Sequence, residues 1–223
     1  MPSPTFCDNF NGIPDTVKAC RRNNVNDVFE NIYLRRSVRD YKPNDVPDDI
    51  IRELIKVGTY APSAGNKQPW RFVVIKNREI IARLSGRAKK MWLDTVSENP
   101  NPDVKMLADA EVKMLANAMK MPEFNIFYNA PVLILIFAAP GAFSPQDDCA
   151  AAAENMMLAA RSLGIGSCWI GFGMPLGSDA DVLQELKVPE DHRLMAPLIF
   201  GYPVKDVQMA PQRKEDVTLN WIQ

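Results

Sequence analysis

The chain predicts a central β-sheet with helices packed against both of its faces. Three observations carry the prediction. Pro131 to Ala138 contains Val132-Leu133-Ile134-Leu135-Ile136-Phe137, a strand apolar on both faces and therefore central. Asp147 to Leu163 reads as a helix whose body, Ala150 to Ala160, is small or apolar nearly all round, so it is buried on most sides. The coarse order of elements is α-α-β-α-α-β-α-β-α-β, in which helices follow several strands, the pattern of a sheet covered on two sides.

Residues 1–25 read as an irregular leader, punctuated by Pro2, Pro4, Gly12 and Pro14 and without an apolar period. Asp27 and Glu30 have the spacing of a capping box and open a short helix to about Leu34. Pro47, Asp48 and Asp49 start the next helix, with proline at its first position and acids in its first turn. Ile50, Leu54 and Val57 form its apolar stripe, reinforced by Ile51 and Ile55, and Gly58 and Pro62 end it. Phe72 to Ile75 is a buried strand. Asn77 caps a helix carrying Ile80, Ile81 and Leu84. The Met-, Ala- and Lys-rich stretch 91–121 is expected to hold a helix from about Asp103 to Met119. After the helix from Asp147, Gly164 supplies the stop and Ile165 to Phe172 the next strand. Ser178 is expected to cap a helix to about Leu186. Leu194 to Phe200 is the last strand, and the tail ends in Leu219-Asn220-Trp221-Ile222, apolar residues that need cover. Residues 26–223 are expected to form a single domain.

Composition narrows the function. An apolar fraction of 47% over 223 residues is enough for a full core, and the net charge of −1 argues against a general nucleic-acid binder. There is no signal-peptide pattern and no apolar run of membrane-span length, so a cytoplasmic protein without membrane partners is expected. The four cysteines, at 7, 20, 149 and 168, form no C-x-x-C pair, so zinc and iron–sulfur sites fail on spacing. Cys149 and Cys168 sit in apolar surroundings as buried thiols, and a Cys7–Cys20 disulfide is not expected inside a cell. The single histidine, His192, lies in a polar turn and reads as a surface residue, which excludes multi-histidine catalysis and His-rich metal sites. No metal is expected.

Two segments carry chemistry. Arg35-Arg36-Ser37-Val38-Arg39 clusters three guanidinium groups and a hydroxyl. Ala61-Pro62-Ser63-Ala64-Gly65-Asn66-Lys67-Gln68-Pro69-Trp70 strings short polar side chains along a proline-bounded loop. Guanidinium is a planar fork suited to phosphate, and Ser and Asn can read a ring edge, so a flat anionic ligand fits both. Each also has a plain reading: a solvated basic helix end, and an ordinary turn. No G-x-G-x-x-G follows a strand and no P-loop is present, so phosphate binding must rest on side-chain charge, to which Arg213 and Lys214 can add.

Taken together, these segments resemble the nitroreductase family of flavin enzymes. The likeness continues in Asn129-Ala130-Pro131 before the central strand, in the small-residue helix, in Gly164-Ile165-Gly166-Ser167-Cys168-Trp169-Ile170-Gly171 and in Phe200-Gly201-Tyr202-Pro203. It spans about residues 27–215. The resemblance implies an α+β fold, a mixed sheet sandwiched by helices, in an intertwined homodimer with FMN at each dimer interface. By position, Arg35, Arg36, Ser37 and Arg39 match the first FMN segment. Pro62 and Ser63 match the flavin-facing loop, and Asn66 a residue supplied by the other subunit. Ile170 and Gly171 match the backbone segment near the flavin N5, and Arg213 a phosphate-binding arginine. Many enterobacterial members place Glu before that glycine; Ile170 stands there here, which removes a carboxylate beside the ring.

The implied activity is FMN-dependent transfer of hydride from NADH or NADPH to nitroaromatic, quinone or related small-molecule acceptors, in a ping-pong cycle. Hydride transfer is the cofactor's chemistry, so no catalytic side chain is required of the protein, and none is visible. Two readings stand beside it: the same FMN scaffold with another chemistry, such as reductive dehalogenation or ene reduction, and a flavin-binding protein without catalysis.

Overall fold

The structure, a computed structural model, describes residues 27–98, 109–205, 212–214 and 217–222. The leader expected over 1–25 and the first part of the helix expected from Asp103 lie outside the described residues. Four strands, β1 (Trp70–Ile75), β2 (Val132–Ala138), β3 (Gly166–Trp169) and β4 (Arg193–Gly201), form a sheet in the order β1-β2-β4-β3. All three ladders are antiparallel. The parallel pairing that makes the sheet mixed is one isolated bridge, Ser37 to Ser167.

Strand β2 shows why the sheet is a sandwich. All seven of its residues are buried. Successive side chains point to opposite faces of a strand. Val132, Ile134, Ile136 and Ala138 enter one core with α2 (Asp48–Gly58) and α5 (Pro145–Ser162). Leu133, Leu135 and Phe137 enter the other with α3 (Arg78–Glu98) and α4 (Asp109–Lys120). The sandwich and the central place of this strand are thus as its composition predicts.

Helix α5 packs through Ala152, Ala153, Met156 and Ala160, all fully buried. Its end is set by Gly164 at φ +70, where an L side chain is disfavoured. The amide of Ile165 donates to Ala160 O at 2.8 Å and that of Gly164 to Arg161 O at 3.0 Å, the paired bonds of a Schellman stop. The chain therefore turns from the helix straight into β3.

Other elements follow their local signals. Asn77 Oδ1 accepts the amides of Glu79 and Ile80 and so opens α3 as expected. Three expectations are corrected. Strand β1, read as buried over Phe72–Ile75, lies at the sheet's edge: Phe72 and Val73 are only half-buried, Val74 is exposed, and Ile75 alone of the four is buried. Strand β3 stops at Trp169, not near Phe172, because Gly171–Ser178 folds into 3-10 turns. The cap of α6 (Ala180–Glu185) is Asp179, not Ser178: the Asp179 carboxylate accepts the Val182 amide, whereas Ser178 donates its hydroxyl to Pro175 O. A carboxylate one residue later outcompetes the hydroxyl because Arg87 on α3 also grips it.

Helix α1 (Asp27–Leu34) leaves Val28, Phe29, Ile32 and Tyr33 largely exposed. The tail residues Leu219, Trp221 and Ile222 are exposed too, so the described residues do not give them the cover their composition demands.

Candidate functional site

Residues 35–39 leave the end of α1 and run parallel to β3. The Val38 amide donates to Ser167 O at 2.9 Å. A Cβ on Gly166 would lie 2.9 Å from three carbons of Val38, so only glycine lets the two segments come this close. Tyr41 donates its hydroxyl to Val38 O at 2.6 Å. Burial pushes that phenol above its ordinary range, so it stays a donor. Beyond it, Lys42 and Val204 exchange backbone bonds with Tyr202 and Asp40, which ties the segment to the end of β4.

With Val38 turned into the core, Ser37 and Arg39 are left exposed. The guanidinium of Arg39 sits over the ring of Tyr128, 5.9 Å from its centroid. Arg35 Nε lies 3.3 Å from Glu154 Oε1 of α5. Arg36 turns back: it donates to the carbonyls of Tyr33 and Arg35, both at 2.7 Å, and so closes the end of α1. Arg35, Arg36 and Arg161 line a pocket of about 210 Å³ with Gly164 and Ser167. Arg213 is exposed and does not join it.

The bridge fixes a direction. With Ser37 opposite Ser167 in parallel register, Arg35 belongs at the helix end of β3 and Arg39 at the end leading to Ile170 and Gly171. Four extended residues set these arginines roughly 13 Å apart. Ile170 is buried; its amide donates to Pro197 O at 2.9 Å. Gly171 opens the 3-10 segment, so its amide has no partner within that turn, and a Cβ there would meet nothing.

The second predicted segment sits elsewhere. Asp148, buried in the first turn of α5, accepts the Ala64 amide at 2.9 Å through Oδ1, while its Oδ2 has no hydrogen-bond partner among the described residues. The Gln68 amide donates to Ser63 Oγ, and Gln68 Nε2 to Asn66 Oδ1, both at 3.0 Å. Gly65, Asn66 and Gln68 all have positive φ. The ring of Phe143 lies against Gly65 and under Lys67 Nζ. The loop is therefore held on several sides.

Arg35, Ser37, Arg39, Ile170 and Gly171 are thus gathered along one edge strand, whereas Pro62, Ser63 and Asn66 are set apart. From Asp148, which holds the loop, to Arg161, beside Arg35, helix α5 rises about 20 Å at 1.5 Å per residue. Sequence reasoning missed Tyr41, Tyr128, Gln68 and Asp148. Gln68 stands inside the quoted loop, so its polarity was a signal. Tyr41 acts only three residues away, on Val38 O, whereas Tyr128 and Asp148 act across distances that no local spacing records. Among the described residues, no cluster of His, Cys, Asp or Glu is placed to hold a metal, and no helix is long and apolar enough to cross a membrane.

Comparison with known proteins adds a frame to this geometry. The profile of the Nitroreductase family matches residues 32–202. A protein of Archaeoglobus fulgidus that bears the name NADH dehydrogenase/NAD(P)H nitroreductase is 32% identical over 180 residues, covering 80% of this chain and 87% of that one. A nitroreductase from Bacteroides fragilis, solved with bound FMN, superposes with a TM-score of 0.74 at 29% identity, over 89% of this chain and 100% of that one. A BluB-like flavoprotein from Clostridium difficile superposes with a TM-score of 0.67 at 28% identity, over 90% and 100%.

Proposed function

The chain belongs to the nitroreductase family, and from that membership we propose that it is an FMN-dependent oxidoreductase that passes hydride from NADH or NADPH to nitroaromatic, quinone or related acceptors in a ping-pong cycle. The observation that carries the reading is the strip from Arg35 to Gly171 on an edge strand: an arginine toward each end, with the exposed Gly171 at the Arg39 end.

The residues present fit FMN. The ligand has an anionic phosphate and a flat polar ring, and the strip offers a guanidinium for each end. Arg35 and Ser37 would hold the phosphate. Arg39 would meet the polar edge of the ring, steadied by Tyr128. The free amide of Gly171 would donate to the ring, whereas the Ile170 amide is already engaged. Arg36 serves the backbone and contributes charge only. When bound, FMN supplies the acceptance and release of hydride. The chain's own part is to bind it, orient it and leave one face open.

The Ser63–Asn66 loop is held at the Asp148 end of α5 and does not line the pocket at Arg35 and Ser167. We therefore assign it to the FMN held by a second copy of the chain, giving a homodimer with two shared sites. The exposed Phe29, Ile32 and Tyr33 of α1 and the exposed Trp221 and Ile222 support such a partner. Ile170, buried where many members carry Glu, leaves no carboxylate beside the ring, which favours uncharged or anionic acceptors.

The direct test is to purify the full chain and record its absorbance. The expected sample is yellow and is bleached by NADH or NADPH without oxygen. A colourless protein that takes up no added FMN would sink the reading. A protein that keeps FMN but oxidises neither nicotinamide would leave the non-catalytic alternative.

A further inference from the structure

We propose that Arg161 is a further binding residue for the FMN phosphate, acting with Arg35 across the pocket that both line. The inference rests on the FMN reading above. Arg161 stands in the last turn of α5, and the pocket of about 210 Å³ holds it together with Arg35 and Arg36. A cation suits a helix C-terminus, and that alone would account for a solvated arginine. Here the residue is half-buried and shares one cavity with two like charges, an arrangement that is unfavourable until an anion enters.

The chain itself does not supply that anion. Glu154 meets only Arg35, through Nε at 3.3 Å, and leaves the two terminal nitrogens of that guanidinium for a ligand. Among the described residues no carboxylate pairs with Arg161. Backbone donors are committed as well. Phosphate is often held by the open amides of a helix N-terminus, but this is a C-terminal end. The amides of Gly164 and Ile165 close the helix stop, and that of Val38 is bonded to Ser167 O. The charge of an anion in this pocket therefore falls to the guanidiniums.

The ligand chemistry follows. A phosphate monoester carries about −1.5 to −2 charges at neutral pH and three acceptor oxygens, enough to engage two planar forks at once. FMN ends in such a group at the Arg35 end of the strip, whereas riboflavin has only a neutral hydroxyl there. Arg161 thus contributes to the choice between the two flavins, and not to the ring, which lies toward Arg39.

The test compares dissociation constants for FMN and riboflavin, read by flavin fluorescence, for the full-length wild type, Arg161→Gln and Arg161→Lys, with circular dichroism to establish folding. Arg161→Gln should weaken FMN by about tenfold, the low end for a lost charged hydrogen bond, and change riboflavin by less than about twofold. Arg161→Lys keeps the charge without the fork, so it should weaken FMN a few-fold and spare riboflavin; it serves if the glutamine variant does not fold. A phosphate monoester loses charge below about pH 6, so wild-type affinity for FMN should fall from pH 7 to pH 5, and Arg161→Gln should reduce that slope. A merely structural arginine would weaken both flavins alike and leave the slope unchanged. Equal losses for the two flavins, or FMN bound by Arg161→Gln as tightly as by wild type, overturns the proposal alone. So does a KM raised for NADPH and not for NADH with FMN affinity unchanged, which gives the pocket to the donor's phosphate. A wild-type protein that binds no FMN overturns the flavin reading on which the proposal stands.

Discussion

Val38 donates its amide to the Ser167 carbonyl at 2.9 Å, and this bond couples the arginine cluster to the sheet. It turns a helix end into a strip parallel to β3, with one arginine toward each end. The close approach depends on Gly166, whose absent side chain leaves room for Val38.

Gly166→Ala should therefore cost about 1–3 kcal/mol of stability, the usual range for overpacking. Chemical denaturation of the single and double variants measures it. In a Val38→Ala background the same change should cost less, because two of the three contacting carbons, Cγ1 and Cγ2, are gone. Equal costs in both backgrounds would mean that Val38 is not what the new methyl meets.

Arg35→Ala should weaken FMN binding by roughly 10- to 100-fold, the range for losing a charged hydrogen bond to phosphate. Glu154→Gln should change it by less than about threefold. Its partner Arg35 has further donors to offer, and an ion pair this exposed is worth only about 0–1 kcal/mol. Fluorescence titration of both variants decides between a phosphate role for Arg35 and a role in fastening α1 to α5.

Asp179 joins α3 to α6: its carboxylate accepts the Val182 amide and pairs with Arg87. The Arg87 hydrogen bond holds the Asp179 carboxyl below its ordinary value. A depressed value means that the stabilisation is complete above the unfolded range, near pH 4, and is lost as pH falls through the folded value. Asp179→Ala should lower stability by about 1 kcal/mol through the lost cap. That deficit should be constant from pH 6 to 8 and shrink below pH 4. Thermal unfolding across that range reads it, and a deficit that grows on acidification would contradict the assignment.

Both described thiols should resist labelling. Cys149 and Cys168 are buried, and burial pushes Cys149 up to about 12 and Cys168 upward as well. A Cys7→Ser, Cys20→Ser protein should show no reactive thiol in a chromogenic assay at pH 8 and two after denaturation. A fast-reacting thiol in the folded protein would show that one of these sites opens.

Much of the fold was legible in the sequence because it rests on local periodicity. The two-faced apolar run of β2, the small-residue body of α5 and the Asn77 cap each announce themselves within a few residues. The errors fell where two local signals competed. Ser178 and Asp179 both suit a cap, and only Arg87, distant in sequence, decided between them. The strand expected to Phe172 ended at Trp169 because its ladder with β4 ended there.

The sequence by itself determined the helix-covered sheet, the two candidate ligand segments and, by resemblance, the family. These are properties of residue type and spacing, which the chain carries along its length. Only the tertiary structure decided how the segments relate. It set Arg39 over Tyr128 and fastened Ala64 to Asp148 at the far end of α5 from Arg161. These are contacts between groups distant in the chain, made by packing two cores on one sheet, and no local pattern encodes their geometry.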